Sequence, residues 1–181
     1  APVECWDRAR IKATYGTLDR MVAYDSQNWK RPAGTTEDGI ERQKILATAI
    51  IEKQDRIKAH DLLDIWVRDY DPSKMKFKQE GFDVSLLELT RAGLPPSELG
   101  ALNPFQNLIS IARAFHPVGL INAGDPAGAA DDVYELGRVY TPETSHALRW
   151  AALYIAAIAE ACRPGATVES VLDTARQFAD Y

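Results

Sequence analysis

An all-α fold, a globular helical bundle forming one domain over residues 1–181, is what this sequence predicts. Three observations point there. Apolar residues recur at i, i+3, i+4 and i+7 over several segments, the spacing that puts them on one face of a helix. Acceptor side chains followed by proline mark helix starts. No run alternates with period 2, no unit of 20 to 50 residues repeats, and no low-complexity tract marks a linker, so strands, solenoids and a second domain have no support. At 181 residues the chain buries about two-thirds of its extended surface, enough for one sizeable core.

The elements follow in order. After a polar opening, Ile40, Ile45, Leu46, Ala49 and Ile50 fall at helical spacings within residues 40–51. Residues 61–67 repeat the pattern with Leu62, Leu63, Ile65 and Trp66. "DPSKMKFKQEGF" has turn chemistry in Asp71-Pro72 and Gly81 and reads as a loop, its Lys74 to Gln79 stretch a solvated basic patch. Residues 84–90 form a short helix closed by "AGLPPSELG", where Gly93 takes a left-handed cap and Pro95 and Pro96 stop the helix. Asn103-Pro104 starts a helix with Phe105, Leu108, Ile109, Ala112 and Phe115 on its core face. Asp125-Pro126 and Thr141-Pro142 start two more, the second running from about Pro142 to Cys162 and rich in alanines that allow close helix approach. Thr167 caps a last helix. Trp66 and Trp150 lie on helical faces and are assigned to the core.

Composition excludes several classes. The hydrophobic share is 46% and the charged share 26%, and no apolar run approaches the roughly 18 to 20 residues of a membrane span. A net charge of −5 argues against non-specific nucleic-acid affinity, which needs a basic surface. Cys5 and Cys162 form no C-x-x-C pair, so neither a zinc site nor a disulfide framework is signalled, and a cytoplasmic location is expected. No basic n-region followed by an apolar h-region stands at the start.

Four consecutive residues carry the question of function: Thr35, Thr36, Glu37 and Asp38, at the point where a loop becomes a helix. One reading makes Thr35 the N-cap and Asp38 the third helical position of a capping box, with both acids at the positive end of the helix dipole. The other uses the same residues as hard oxygen ligands for Mg²⁺. The two are compatible. Asp125 in "NAGDPAG" reads as an N-cap and Gly124 as a turn residue. His116 precedes a proline at a helix end, within reach of a site, while His146 reads as surface and His60 as lying near a helix start.

Taken together, "APVE" (Ala1 to Glu4), "GTTEDG" (Gly34 to Gly39), "HPVGLINAGDP" (His116 to Pro126) and "WAALYIAAIAEA" (Trp150 to Ala161) stand in an order that resembles the ADP-ribosylglycohydrolase family, which also contains the J1-type lens crystallins. The resemblance implies a metal-dependent hydrolase acting on a ribosyl glycosidic bond, with an ADP-ribosyl or nucleoside-like substrate. By position it makes Thr36, Glu37 and Asp38 the ligands for one half of a pair of Mg²⁺ ions, and it gives Glu4 an acid/base role. Asp125 and His116 become substrate-side candidates, Asp125 also the one remote acid able to add a metal ligand. Where the family has Asp and Thr, this chain has Glu37 and Gly39, and where a histidine follows the threonine it has Thr141-Pro142. Those departures keep an alternative open, a non-catalytic structural or binding module of the crystallin J1 kind. The resemblance also implies a "GDALG" stretch ahead of "APVE" and a second acidic unit beyond Ala161. The expectation is therefore a piece of a longer domain, associated with a second polypeptide or the remainder of the same gene product, with no nucleic-acid or membrane partner.

Overall fold

A computed structural model describes residues 3, 6–26, 29–35, 38–72, 81–104, 106–107 and 110–179. Glu4, Cys5, Thr36, Glu37, Lys74 to Gln79, Phe105, Leu108 and Ile109 lie outside the described residues. The architecture is all-α, as the periodicity predicts. Its helices are α1 (Arg8–Tyr15), α2 (Asp38–Lys53), α3 (Ala59–Asp69), α4 (Gly81–Arg91), α5 (Pro96–Leu102), α6 (Ser110–Ala114), α7 (His116–Ile121), α8 (Pro126–Gly137), α9 (His146–Ala161) and α10 (Val168–Gln177). Among the described residues no helix is long and apolar enough to cross a membrane.

The polar opening contains more structure than its composition shows. Asp7 caps α1 by accepting from the backbone N–H of Arg10, a local bond that makes a helix with no buried residue. A two-stranded antiparallel ladder follows, Tyr24–Ser26 (β1) against Trp29–Arg31 (β2), with Tyr24 paired to Arg31 and Ser26 to Trp29. Strands of three residues are too short to display period-2 alternation, which is why the sequence gives no sign of them.

α9 is the axis of the core. Ala147, Leu148, Ala151, Ala152, Ile155, Ala156 and Ala159 are buried along it, and α6, α7, α8 and α10 pack around it. Small side chains let these neighbours come close. At Gly119 of α7, a Cβ would lie 2.7 Å from Ile158 Cγ2 and 3.2 Å from the Ile155 carbonyl oxygen. On the other side, α2 contributes Ile45, Leu46 and Ala49, and α3 contributes Leu62, Leu63, Ile65 and Trp66. Trp66, Tyr140 and Phe115 meet edge to face at ring-centroid distances of 5.9 and 5.8 Å, the arrangement their quadrupoles favour. The Glu160 carboxyl at the α9–α10 corner is held down to about 2 by hydrogen bonds from Arg163 and Ser170.

Several boundaries differ from those expected, each for a local reason. The Thr35 hydroxyl donates to the Pro32 carbonyl at 2.8 Å, α2 is described from Asp38 on, and the capping box expected of Thr35 and Asp38 falls on groups outside the described residues. Gly81, expected in a loop, is already helical and lies in α4. Gly93 is left-handed, with φ of +82°, but Pro95 and Pro96 start a helix, Pro95 as N-cap and Pro96 in the first turn. The helix expected from Asn103 is not formed at residues 103, 104, 106 and 107, because Asn103 turns its amide into the core to donate to the Tyr140 carbonyl and Asn107 is left-handed, with φ of +64°. α9 begins at His146, capped by Ser145 Oγ accepting from Ala147 N–H, while Thr141 is buried in the preceding loop. Trp150 and Ile40 are each 44% exposed and stand outside the core.

One close approach yields a direct test. The backbone N–H of Gly100 donates to the Arg138 carbonyl at 3.1 Å, and a Cβ at this position would lie 2.2 Å from that oxygen and 2.6 Å from the Thr141 carbonyl. Backbone cannot rotate away as a side chain can. Gly100→Ala is expected to lower unfolding free energy by about 1–3 kcal/mol, the range for overpacking a tight core, measured by urea denaturation against Ala101→Gly as a surface control. A loss below about 0.5 kcal/mol contradicts the packing described.

Candidate functional site

The candidate ligand unit ends where α2 begins, so α2 is what positions it. Ile45, Leu46 and Ala49 pin the helix into the core, and Asp38 leads its first turn. One turn on, Arg42 donates from Nε to Asp83 Oδ1 at 2.7 Å and from a terminal nitrogen to Oδ2 at 2.8 Å, both side chains 2% exposed. This two-pronged bond fixes the start of α2 against α4. Breaking such a buried pair by removing one partner is costly, because the other charge is stranded in a low dielectric. Beside it, burial pushes the Tyr140 hydroxyl well above its ordinary value, so it stays neutral.

Gln43 makes the second tie. Its Nε2 lies 2.5 Å from the Arg113 carbonyl oxygen on α6 and 2.9 Å from His116 Nδ1 on α7. His116 Nε2 in turn lies 3.2 Å from the Tyr154 hydroxyl on α9. His116 is therefore half-buried and joined to α2 five positions after Asp38, about 7.5 Å along the helix axis. The structure brings His116 towards the end of α2 that carries the candidate ligands.

Asp125 is placed elsewhere. It is the N-cap of α8, its Oδ1 accepting from Gly128 N–H at 3.0 Å, as the cap reading predicts. Gly128 also offers its carbonyl to Arg56, three residues past the end of α2, and Arg56 donates from Nε to Asp132 Oδ2 at 2.6 Å. The hydrogen bond it donates to Asp132 raises the Arg56 value above the ordinary guanidinium range. Buried Asp132 also accepts from Asn122 Nδ2 at 2.8 Å. The cluster around Asp125 thus sits by the C-terminal end of a 16-residue helix, about 24 Å long, whose N-terminal end holds Asp38. Asp125 and Asp38 are not brought together.

Thr36, Glu37 and Glu4 lie outside the described residues, as does the side chain of Asp38. Among the described residues no three His, Cys, Asp or Glu side chains gather as a metal site. His60 and His146 are exposed, each at or beside a helix start. Arg42, Asp83, Gln43 and Tyr154 are the positions that sequence reasoning missed. Arg42 and Asp83 stand 41 positions apart, and only the packing of α2 on its neighbours joins them.

A family model described as ADP-ribosylglycohydrolase matches residues 1–181. No curated protein and no solved structure matches the chain.

The separation of the two ends of α2 gives a prediction. Asp125→Ala is expected to cost about 0.5–2 kcal/mol of stability, the usual loss of an N-cap, and to leave divalent-cation binding unchanged by calorimetry. A large loss of cation affinity in a variant that unfolds normally places Asp125 among the ligands instead.

Proposed function

The chain belongs to the ADP-ribosylglycohydrolase family, a hydrolase type, and from that premise we propose that it is a metal-dependent hydrolase of a ribosyl glycosidic bond. An ADP-ribosyl or nucleoside-like group is the substrate class. The observation that supports this reading is Asp38 in the first described turn of α2, directly after Thr36 and Glu37 in sequence, on a helix tied into the core by Arg42 and Gln43. A hydroxyl and two carboxylates in succession are all hard oxygen donors, and that donor chemistry fits Mg²⁺. The carboxylates also offset the positive end of the helix dipole, which by itself disfavours a cation.

Thr36, Glu37 and Asp38 are the residues that hold the ion in this reading. Bound Mg²⁺ supplies charge stabilisation to the oxygens of the ribosyl group. Glu4 is the acid/base group: its carboxylate takes a proton from water as the water oxygen bonds to ribose C1 and the bond from C1 to the acceptor breaks, and that proton is returned to the leaving group. Glu37 is one methylene longer than aspartate and shifts the reach of the middle ligand. His116 belongs to the substrate side, one link from α2 through Gln43.

Calorimetric titration of the full-length protein with Mg²⁺ tests the ligand assignment. Asp38→Ala is expected to abolish binding and Glu37→Asp to retain or strengthen it. If Asp38→Ala lowers stability with cation affinity unchanged, the unit is a helix start and nothing more. Titration with ADP-ribose, with and without Mg²⁺, separates the enzyme from a non-catalytic module of the same fold, which shows no binding in either condition.

Glu4→Gln is expected to lower turnover of an ADP-ribosylated peptide by about 100-fold or more, the scale of general acid–base catalysis, with its thermal unfolding unchanged. Activity equal to the parent's rejects the role.

A further inference from the structure

The bonds of Gln43 determine where a hydrogen on Tyr154 points. A carbonyl oxygen only accepts, so the atom 2.5 Å from the Arg113 carbonyl is the amide nitrogen of Gln43, and the orientation of that amide follows. The same NH₂ group faces His116 Nδ1 at 2.9 Å, so Nδ1 is the acceptor. The neutral imidazole then carries its proton on Nε2, which donates to the Tyr154 hydroxyl oxygen at 3.2 Å. The rings stay in contact, with centroids 5.5 Å apart. The Tyr154 O–H is left over: no described residue accepts it, and the residue is 44% exposed. With Nε2 as the donor, that hydrogen is directed away from His116.

We propose that Tyr154 contacts the substrate, donating this outward O–H to an oxygen of the bound ADP-ribosyl group, with His116 and Gln43 as positioning residues. The inference rests on the reading that the site lies at the start of α2. Three features support it. A neutral donor suits the phosphate and hydroxyl oxygens that dominate such a ligand. The relay spans three helices, α2, α7 and α9, so the hydroxyl is held by the framework and not by one mobile side chain. It also starts from Gln43, about 7.5 Å along α2 from Asp38, on the same helix as the candidate ligands.

The full-length protein is titrated with ADP-ribose in the presence of Mg²⁺, as parent, Tyr154→Phe and Gln43→Leu, and the ¹⁵N shifts of His116 are recorded. Tyr154→Phe is expected to weaken the Kd by about 3- to 10-fold, the worth of one hydrogen bond, at unchanged thermal stability. The parent His116 is expected to show a protonated Nε2 and an unprotonated Nδ1, and Gln43→Leu to mix the two tautomers and weaken binding as well. An unchanged Kd in Tyr154→Phe, or a parent His116 protonated on Nδ1, overturns the inference and leaves the functional reading standing. A parent that does not bind ADP-ribose overturns both.

Discussion

The close packing of small residues along α9 is the constraint on which the rest of the molecule depends. Ala151, Ala152, Ala156 and Ala159 are buried and present almost no side chain, so the helices around α9 approach to backbone distance. Gly119 answers from α7, with space for no Cβ against Ile158 and the Ile155 carbonyl. Such interfaces are bistable rather than elastic, because an added methyl group has nowhere to go. Leu148 and Ile155, wholly buried among the alanines, each contribute roughly 1.5–3 kcal/mol by burial. The consequence for the site is positional. α7 begins with His116, α9 carries Tyr154, and the depth at which α7 seats on α9 sets the distance between them.

α2 acts as a strut whose two ends are anchored by different ion pairs. At its start Arg42 and Asp83 are both buried, and by the end Arg56 reaches Asp132 from a more exposed position. Neither pair is a strong argument for stability, since desolvation offsets much of the attraction. What they provide is location. A planar guanidinium bonded through two nitrogens to one carboxylate accepts little variation in angle, so α2 can neither slide nor turn without breaking the bond. That rigidity suits a helix whose first residue is a candidate ligand, because ligand and substrate groups must be held to a fraction of an ångström.

How much of this was legible in the sequence depended on whether the deciding interaction was local. α2, α3 and α8 were readable, since their apolar faces or their Asp-Pro start lie within one stretch of chain. The last helix was readable for the same reason, Thr167 and Ser170 bonding reciprocally across one turn. Asn103 and Thr141 were misread as helix starts because what each does is tertiary: Asn103 donates to Tyr140, and Thr141 Oγ1 accepts from Asn107 at 3.4 Å. Pro95-Pro96 was read as the stop of the preceding helix, which does end at Arg91, and the helix that the second proline opens was missed. The donor character of Thr36, Glu37 and Asp38 was visible from residue type and from resemblance. Gln43, Asp83 and Tyr154 were invisible, because each gains its meaning only from a residue far away in the chain.

Asp125 shows why residue type alone does not make a ligand. An aspartate in a Gly-Asp-Pro turn has the same carboxylate as Asp38, and its own surroundings commit it to a cap. Its Oδ1 is engaged by Gly128 N–H, and its Oδ2 lies 2.2 Å from where a Gly128 Cβ would stand, so glycine there is a condition of the cap. Arg56 then takes the Gly128 carbonyl and Asp132 together, and closes the corner between the end of α2 and the start of α8. The guanidinium adds positive charge beside the Asp125 carboxylate, which disfavours a cation there. Asp125 is thus committed to its cap by what faces it, an arginine on one side and a glycine that leaves room for its carboxylate on the other.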